Sequence, residues 1–461
     1  MTIKNDTSVS MSNFNSTTTL ATNEIIFPAQ SKDTLNDDDY NPFEHRVIEH
    51  PTSTLGSLIH ILKSSLGTGI LAMPNAFKNA GLLFGFVATI AVGYLCTYCI
   101  HILVDASHVI CRKSKIPSLG LSETCGAAFD YGPKRLRRFA DTVKTVVDVA
   151  LITTYFMGLC VYVVFISESL EQLVLHWYPD VTFNTRLYMV MVMVPLLISA
   201  QVRELKYLVP FSFFANIFLV VSFGITLYYV FIDVPDLSTR PLFSKFSQLP
   251  SFFSIVIFAM EGVGVIMPVE NSMKHPERFL GCCGVLNIAM ATVVLIYATI
   301  GFFGFLKYGD ATYASITLNL PVEELPAQCV KLLIVLSVYL TYNLQMYVPL
   351  DIIWRKVLSP KVDGKIKTHL AQITMRCLFV AGTVVIAVAV PNLEPIITLV
   401  GAVCLSSLGI LLPAVIDTVL YWDNLGYLNW KLVKNVFLML FSILALISGS
   451  VVSVSSLIHV Y

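Results

Sequence analysis

Two short phrases put chemistry-bearing residues in the middle of apolar stretches. Residues 67–74 read GTGILAMP, preceded by His60, Lys63, Ser64 and Ser65; residues 262–268 read GVGVIMP, preceded by Phe258, Ala259 and Glu261. Glycine in a helix interior costs about 1 kcal/mol relative to alanine, and a proline shortly afterwards removes another backbone donor, so both stretches break easily. An unwound turn frees N–H and C=O groups, and at membrane depth these persist only when buried in protein or lining a wet cavity. Free amides at a positive half-helix end suit a carboxylate, and free carbonyls at a negative end suit an ammonium. Two such turns together suit a zwitterion such as an α-amino acid. The substrate residues expected on this ground are Ser65, Leu66, Gly67, Thr68 and Gly69 in the first phrase and Phe258, Ala259, Gly262 and Gly264 in the second, with Tyr155 and Tyr342 as further aromatic contacts. Close helix packing through small residues is the blander reading, but it favours a four-residue spacing, and these glycines are two apart.

His60 adds a proton to this chemistry. It stands seven residues before Gly67, two helical turns or roughly 10 Å along the same face. Imidazole takes up and releases protons near neutral pH, as a proton-driven carrier requires; a neutral imidazole hydrogen-bonded within the bundle is the alternative. Glu261, beside the second pair of glycines, is a second proton-coupling candidate, and equally a structural partner for an ammonium such as that of Lys63. Asp148 and Glu270 lie near the ends of apolar runs, as gate residues or as fixed ion-pair members. A charged side chain at membrane depth is expensive and is a functional candidate by default.

The elements that must hold these residues follow from composition. Of 461 residues, 13% are charged and 56% hydrophobic, with a mean hydropathy of +0.73, whereas a soluble protein carries about 25% charged residues. Apolar stretches recur at roughly 55–76, 81–104, 144–174, 187–202, 207–232, 249–273, 279–306, 327–353, 370–390, 394–416 and 436–459. Most are long enough for a hydrocarbon core of about 30 Å. The expected fold is therefore an all-α polytopic membrane protein of eleven transmembrane helices. Residues 1–50, rich in Ser, Thr, Asn and Asp, are expected to form a disordered tail ahead of a transporter domain at 51–461. No basic and apolar leader precedes the first stretch.

Lysine and arginine concentrate in alternate loops. Arg112, Lys113, Lys115, the 134–138 cluster, Lys274, Arg278, Arg355, Lys356, Lys361, Lys365 and Lys367 fall on one side; Lys78, Arg186, Arg240, Lys245, Lys307 and Lys331 fall on the other. The bias places the amino terminus in the cytosol and the carboxyl terminus outside or in a lumen. The first and sixth stretches then run antiparallel with their glycine phrases at matching depth. Paired interrupted helices in two inverted halves point to a secondary-transporter site at the midplane. The zero net charge gives no reason to expect nucleic acid, the ten cysteines show no metal or redox spacing, and no P-loop, HExxH or GxSxG phrase marks an enzyme.

HILKSSLGTGILAMPNAFKNAG, FAMEGVGVIMPVENSMKHP, ITLNLP at 316–321 and VKLLIVLSVYLTYNLQMYVP at 330–349 resemble the proton-coupled amino acid transporter family of the amino acid/auxin permease group, from about residue 50 onward. The resemblance implies a leucine-transporter-like fold, with five-plus-five inverted repeats, broken helices 1 and 6 and one extra C-terminal helix. It also implies symport of small neutral amino acids with a proton, at the plasma membrane or on endosomes and lysosomes. The proton itself is the coupling ion, with no other cofactor. The family's proton-sensing histidine falls on His60, its first-helix substrate motif on Gly67, Thr68 and Gly69, and its sixth-helix aromatic-small-Glu-Gly segment on Phe258 through Gly262. Two departures stand out. No cysteine lies between Cys160 and Cys282, so the extracellular disulfide of vertebrate members is not expected, and Ser64 and Ser65 replace a Gly-Asn-Ile run. A pH-insensitive amino acid carrier and a membrane-bound amino acid sensor remain alternatives. Beyond substrate, proton and bilayer, no protein partner follows from the sequence.

Overall fold

The computed structural model describes residues 40–46, 48, 51–65, 67–180, 183–202, 205–260, 262–362 and 364–458. The described chain is helical, with one isolated bridge between Thr52 and Met273. Each of the eleven apolar stretches is mostly helix among its described residues, with the first and sixth interrupted at their glycine phrases. Nine helical stretches among the described residues are long and apolar enough to cross a membrane, and ten if the bent pair Thr54–Ser65 and Gly69–Ala80 is one span. Thr185–Ser199, in the fourth stretch, has 15 residues, or roughly 22 Å of helix, which falls short of a 30 Å hydrocarbon core.

The first stretch is α1 (Thr54–Ser65) followed by α2 (Gly69–Ala80), bent by 54° across the glycine phrase. α3 (Leu82–Ser114) and the short α4 (Leu121–Asp130) precede α5 (Ala140–Trp177), α6 (Thr185–Ser199) and α7 (Leu205–Phe231). The second glycine phrase separates α8 (Leu249–Ala259) from α9 (Val263–Asn271). α10 (Val285–Tyr308), α11 (Leu325–Ile353) and α12 (Lys365–Ala389) follow. Next come α13 (Leu393–Leu399), wider π turns over 400–405 and 407–411, α14 (Leu412–Leu420) and α15 (Trp430–Ile458).

Packing sorts these helices into two groups. α1, α2, α3, α8, α9 and α10 form one, whereas α5, α6, α11 and α12 form the other, with α7 laid along α11. Small residues set the closest approaches in the first group, where a Cβ at Gly93 would run into Val294 and one at Gly301 into Phe77. In a bilayer, where lipid tails are as apolar as leucine, such backbone approach is what holds helices together. The large buried side chains Phe77, Tyr297, Phe305, Phe165 and Tyr342 fill the interior. Leu378, Val385, Leu440 and Val451 stand on the outside, as lipid-facing residues should. Among the described residues all ten cysteines are free thiols.

Candidate functional site

Both glycine phrases break their helices. α1 stops at Ser65 and α2 begins at Gly69, while α8 stops at Ala259 and α9 begins at Val263. The proline of each phrase, Pro74 and Pro268, lies inside the helix that follows, so the glycine pair rather than the proline marks the break. Local bonds re-form at once: Gly67 N–H donates to the Ser65 carbonyl at 2.8 Å, and Val265 and Ile266 donate to the Gly262 carbonyl at 3.0 and 3.1 Å.

The two breaks meet. A Cβ built on Gly69 would lie 2.7 Å from Ala259 Cα, so the start of α2 abuts the end of α8, backbone to backbone. Only glycine permits that approach. Gly67 and Gly262 are less tightly held: a Cβ there would meet the Ser64 carbonyl oxygen and Ile266 Cγ1, respectively, at 4.0 Å, ordinary van der Waals contact. A Cβ on Gly264 would lie 2.5 Å from the Tyr155 hydroxyl, which brings α5 to the first turn of α9. The junction therefore combines interrupted backbone, a phenolic hydroxyl and two glycines that a small group can approach without a clash.

The other expected residues have definite positions. Ser65 is buried, and its carbonyl accepts a hydrogen bond from Tyr297 of α10. Phe258 is buried beside the π turn that follows α13, where a Cβ on Gly401 would lie 3.1 Å from the Phe258 Cβ. Tyr342 is buried in α11 with its hydroxyl 2.8 Å from Thr383 of α12. Thr68 leads into α2 without a side-chain capping bond. His60 is exposed and shares a polar stripe with Lys63 and Ser64, about 100° round α1 from the buried Ser57, Ile61 and Ser65; because α1 ends at Ser65, the expected common helical face of His60 and Gly67 does not extend to Gly67. Leu66 and Glu261 lie outside the described residues.

Polar bridges flank the junction; sequence reasoning singles out Glu270 and Asp148 as gate or ion-pair residues, but not Arg46, His108, Asn79, Glu168 or Glu394. At one end Glu270, fully buried at the end of α9, accepts from Arg46 at 3.0 Å and from His108 of α3 at 2.8 Å. Arg46 also donates from Nε to the Pro117 carbonyl at 2.8 Å, and Phe43 sits edge-on to His108. The stretch carrying Arg46 belongs to the segment expected to be a tail; residues 1–39, 47, 49 and 50 lie outside the described residues, but 40–46 are fastened to the bundle. Thr52 continues the attachment, with its N–H on the Ser272 carbonyl at 2.8 Å and its carbonyl accepting from Lys274 at 2.9 Å. At the opposite end Asn79, one residue before α2 ends, donates to Glu394 of α13 at 3.4 Å, and Leu393 N–H donates to Glu168 of α5 at 3.0 Å. Glu168 did carry a signal, an ionisable residue inside an apolar run. Asp148 and Lys356 form an ion pair between α5 and the end of α11.

The geometry is thus a broken-helix junction with polar bridges at both ends. Comparison with known proteins matches residues 50–455 to the family of transmembrane amino acid transporter proteins. The chain is 42% identical over 434 residues to the proton-coupled amino acid transporter-like protein pathetic of Drosophila melanogaster, covering 94% of this chain and 91% of that one. It is 26% identical over 419 residues to the probable amino acid transporter skat-1 of Caenorhabditis elegans, covering 87% and 90%. A solved structure, the inward-facing conformation of Mhp1, superposes with a TM-score of 0.53 at 12% identity, covering 94% of this chain and 95% of that one, which shows a shared fold. These sequence relatives are transporters, not enzymes. With the family pattern matched over most of its length, the chain is a multi-pass membrane protein of the transmembrane amino acid transporter family.

Proposed function

We propose that this transporter carries small neutral amino acids of the alanine, glycine and proline type together with a proton, by alternating access around the junction of α1, α2, α8 and α9. The observation that carries the reading is the meeting of two interrupted helices, Gly69 against Ala259. Unwound backbone at such a meeting offers donors to a carboxylate and acceptors to an ammonium without needing a charged side chain. Gly67, Thr68 and Gly69 serve the carboxylate, Phe258 through Gly262 the ammonium, and Tyr155 borders the α9 turn.

In this reading eleven helices cross the membrane, the first five repeating as the next five in inverted orientation. Support comes from packing, since the first and sixth stretches meet at their breaks and the third (α5) lies along the eighth (α11). The basic loops face the cytosol and the carboxyl terminus is extracellular or lumenal, at the plasma membrane or an endosomal or lysosomal membrane. His60 is the proton site, and Glu261 the second coupling candidate. A proton moving inward through 100 mV supplies about 2.3 kcal/mol and each pH unit about 1.4 kcal/mol, enough together for a roughly 500-fold gradient of a neutral solute. The proton gradient suffices as the driving force, with no sodium or other cofactor.

The test is uptake of labelled alanine, glycine and proline in expressing cells across external pH, with current recorded in sodium-free medium. Uptake should rise as external pH falls, substrate should evoke inward current, and His60→Ala should abolish both while the protein still reaches its membrane. A flat pH response without current would instead identify a pH-insensitive carrier.

A further inference from the structure

At the end that carries the basic connection 354–364 and the first turn of α12, α5, α11 and α12 line a cavity of about 850 Å³. Phe156, Ile353, Leu370 and Phe379 form its walls, and Lys361 and Lys367 stand at its mouth. The chain leaves α11 through a π turn (Trp354–Leu358) and a 3-10 turn (Ser359–Lys361), which swings Lys361 round to face the start of α12. Single π turns in helices are frequent at functional sites. Leu370 and Leu378, on the wall of this cavity, are 63% and 68% exposed, so the cavity opens outward, away from the core.

The charges at its rim are not equivalent. Arg355 is paired with Asp351 at 2.9 Å, and Lys356 with Asp148. Lys361 and Lys367 are exposed and form no ion pair among the described residues. Two ammonium groups without an ion pair among the described residues therefore crown a mostly apolar space on the positive-inside face. Water is a poor occupant, since below the lysines Thr374 alone among the lining side chains offers it a hydrogen-bonding group. A small soluble anion would satisfy the lysines and leave the walls bare, and a zwitterionic lipid would do the reverse.

We propose that the cavity is a binding site for one anionic phospholipid of the cytosolic leaflet, its acyl chain against Phe156 and Phe379 and its phosphate between Lys361 and Lys367. Basic pockets between helices on the cytosolic side favour acidic headgroups in this way. The occupant also touches the transport machinery. Phe156 packs edge-on against Phe379 of α12 with ring centroids 5.1 Å apart, and the next residue back, Tyr155, is the one whose hydroxyl borders Gly264. A lipid wedged at Phe156 fixes the position of α5, and with it the α5 wall of the substrate junction. The proposal rests on the transporter reading and on the cytosolic placement of the basic loop.

The experiment uses the full chain, purified and then reconstituted in phosphatidylcholine membranes with or without phosphatidylserine. Native mass spectrometry should find phosphatidylserine retained on the wild-type protein. Retention should fall about tenfold or more in the double variant K361A/K367A and return in K361R/K367R, since each cation near the surface contributes measurably to anionic-lipid affinity. Equal retention in all three proteins, equal retention of phosphatidylcholine, or displacement of the lipid by inorganic phosphate would each overturn the proposal. Lipid retention is read without any transport, so its loss is distinct from failure of the symport reading. Labelling of Lys367→Cys by an impermeant maleimide separately reports the side on which the loop lies; labelling from outside alone would remove the cytosolic leaflet and the proposal with it. Given retention, phosphatidylserine should raise substrate uptake several-fold in wild type and leave K361A/K367A unmoved, and an equal response in both would overturn the coupling through α5.

Discussion

The Arg46 guanidinium lies 3.0 Å from the buried carboxylate of Glu270, fastening the segment before α1 to the end of α9. His108 of α3 occupies the same carboxylate oxygen at 2.8 Å, so three separate pieces of chain converge on one acidic side chain. For a site formed where α2 meets α8, this convergence closes one end. Breaking a buried pair by removing one partner costs on the order of 3–5 kcal/mol because a charge is left uncompensated. His108 here retains part of the carboxylate's bonding, so the low end applies. Arg46→Ala is therefore expected to open that end, raising the labelling rate of a cysteine introduced at the buried Ser65 by tenfold or more with an impermeant maleimide applied from the side of the basic loops. An unchanged rate would show that the Arg46 contact does not limit access.

Glycines at the junction separate into two kinds, and substitution should separate them likewise. At Gly67 and Gly262 an added Cβ meets nothing nearer than 4.0 Å, so Gly67→Val and Gly262→Val should fold and insert normally while filling the space a substrate would take. Uptake should fall by tenfold or more at unchanged surface expression. At Gly69 the added Cβ would lie 2.7 Å from a backbone atom of Ala259, which has no flexible side chain to swing away. Overpacking of this kind costs about 1–3 kcal/mol. Gly69→Ala should lower the thermal stability of the purified protein by several degrees, and normal uptake with wild-type stability in any of the three would contradict the assignment.

The breaks were legible in the sequence because glycine and proline act locally: their helix cost is a property of the residue wherever the chain goes. The apolar stretches were legible for the same reason, and each is mostly helix among its described residues. Thr185–Ser199 is the instructive case, since hydropathy marks it but its helix is too short by itself to cross a 30 Å core. Long-range partners were not legible. Nothing local to NDDDYNPFEHR announces that Arg46 bonds a glutamate 224 residues away, and a polar, charge-rich segment reads as tail until its partner is known. Tyr297 looked like one more aromatic in an apolar run. Its hydroxyl matters only because α1 happens to end opposite it.

At the other end of the junction Asn79 is 3.4 Å from Glu394, with Glu168 of α5 bonded to the neighbouring Leu393 amide. Replacing the amide by a carboxylate removes the donor and sets the new acid against Glu394 across the gap between α2 and α13, where like charges repel. Relative to wild type, uptake by Asn79→Asp should fall several-fold at unchanged surface expression, whereas Asn79→Gln, which keeps the donor, should retain most of it. Wild-type uptake by Asn79→Asp would mean that this bridge does not hold α2 to α13.

The last carbonyl of α1 sets the fourth prediction. Ser65 ends the helix with its C=O directed at the fully buried Tyr297 hydroxyl, which donates to it from α10. Helix ends leave carbonyls without intrahelical donors, and in an apolar interior each needs another partner. Tyr297→Phe keeps the ring, and therefore the packing against α1 and α2, and removes only the donor. The Ser65 carbonyl keeps the Gly67 N–H at 2.8 Å, so what is lost is one of two donors, worth about 0.5–1.5 kcal/mol, and the end of α1 is then held by its own turn without a tie to α10. Loss of that tie frees Gly67 and Thr68 to move. Substrate KM should rise about threefold to tenfold with surface expression near wild type, while Tyr342→Phe, which breaks only the α11–α12 bond to Thr383, should leave KM within about twofold. A Tyr297→Phe protein with unaltered KM would show that the end of α1 is held in place by packing alone.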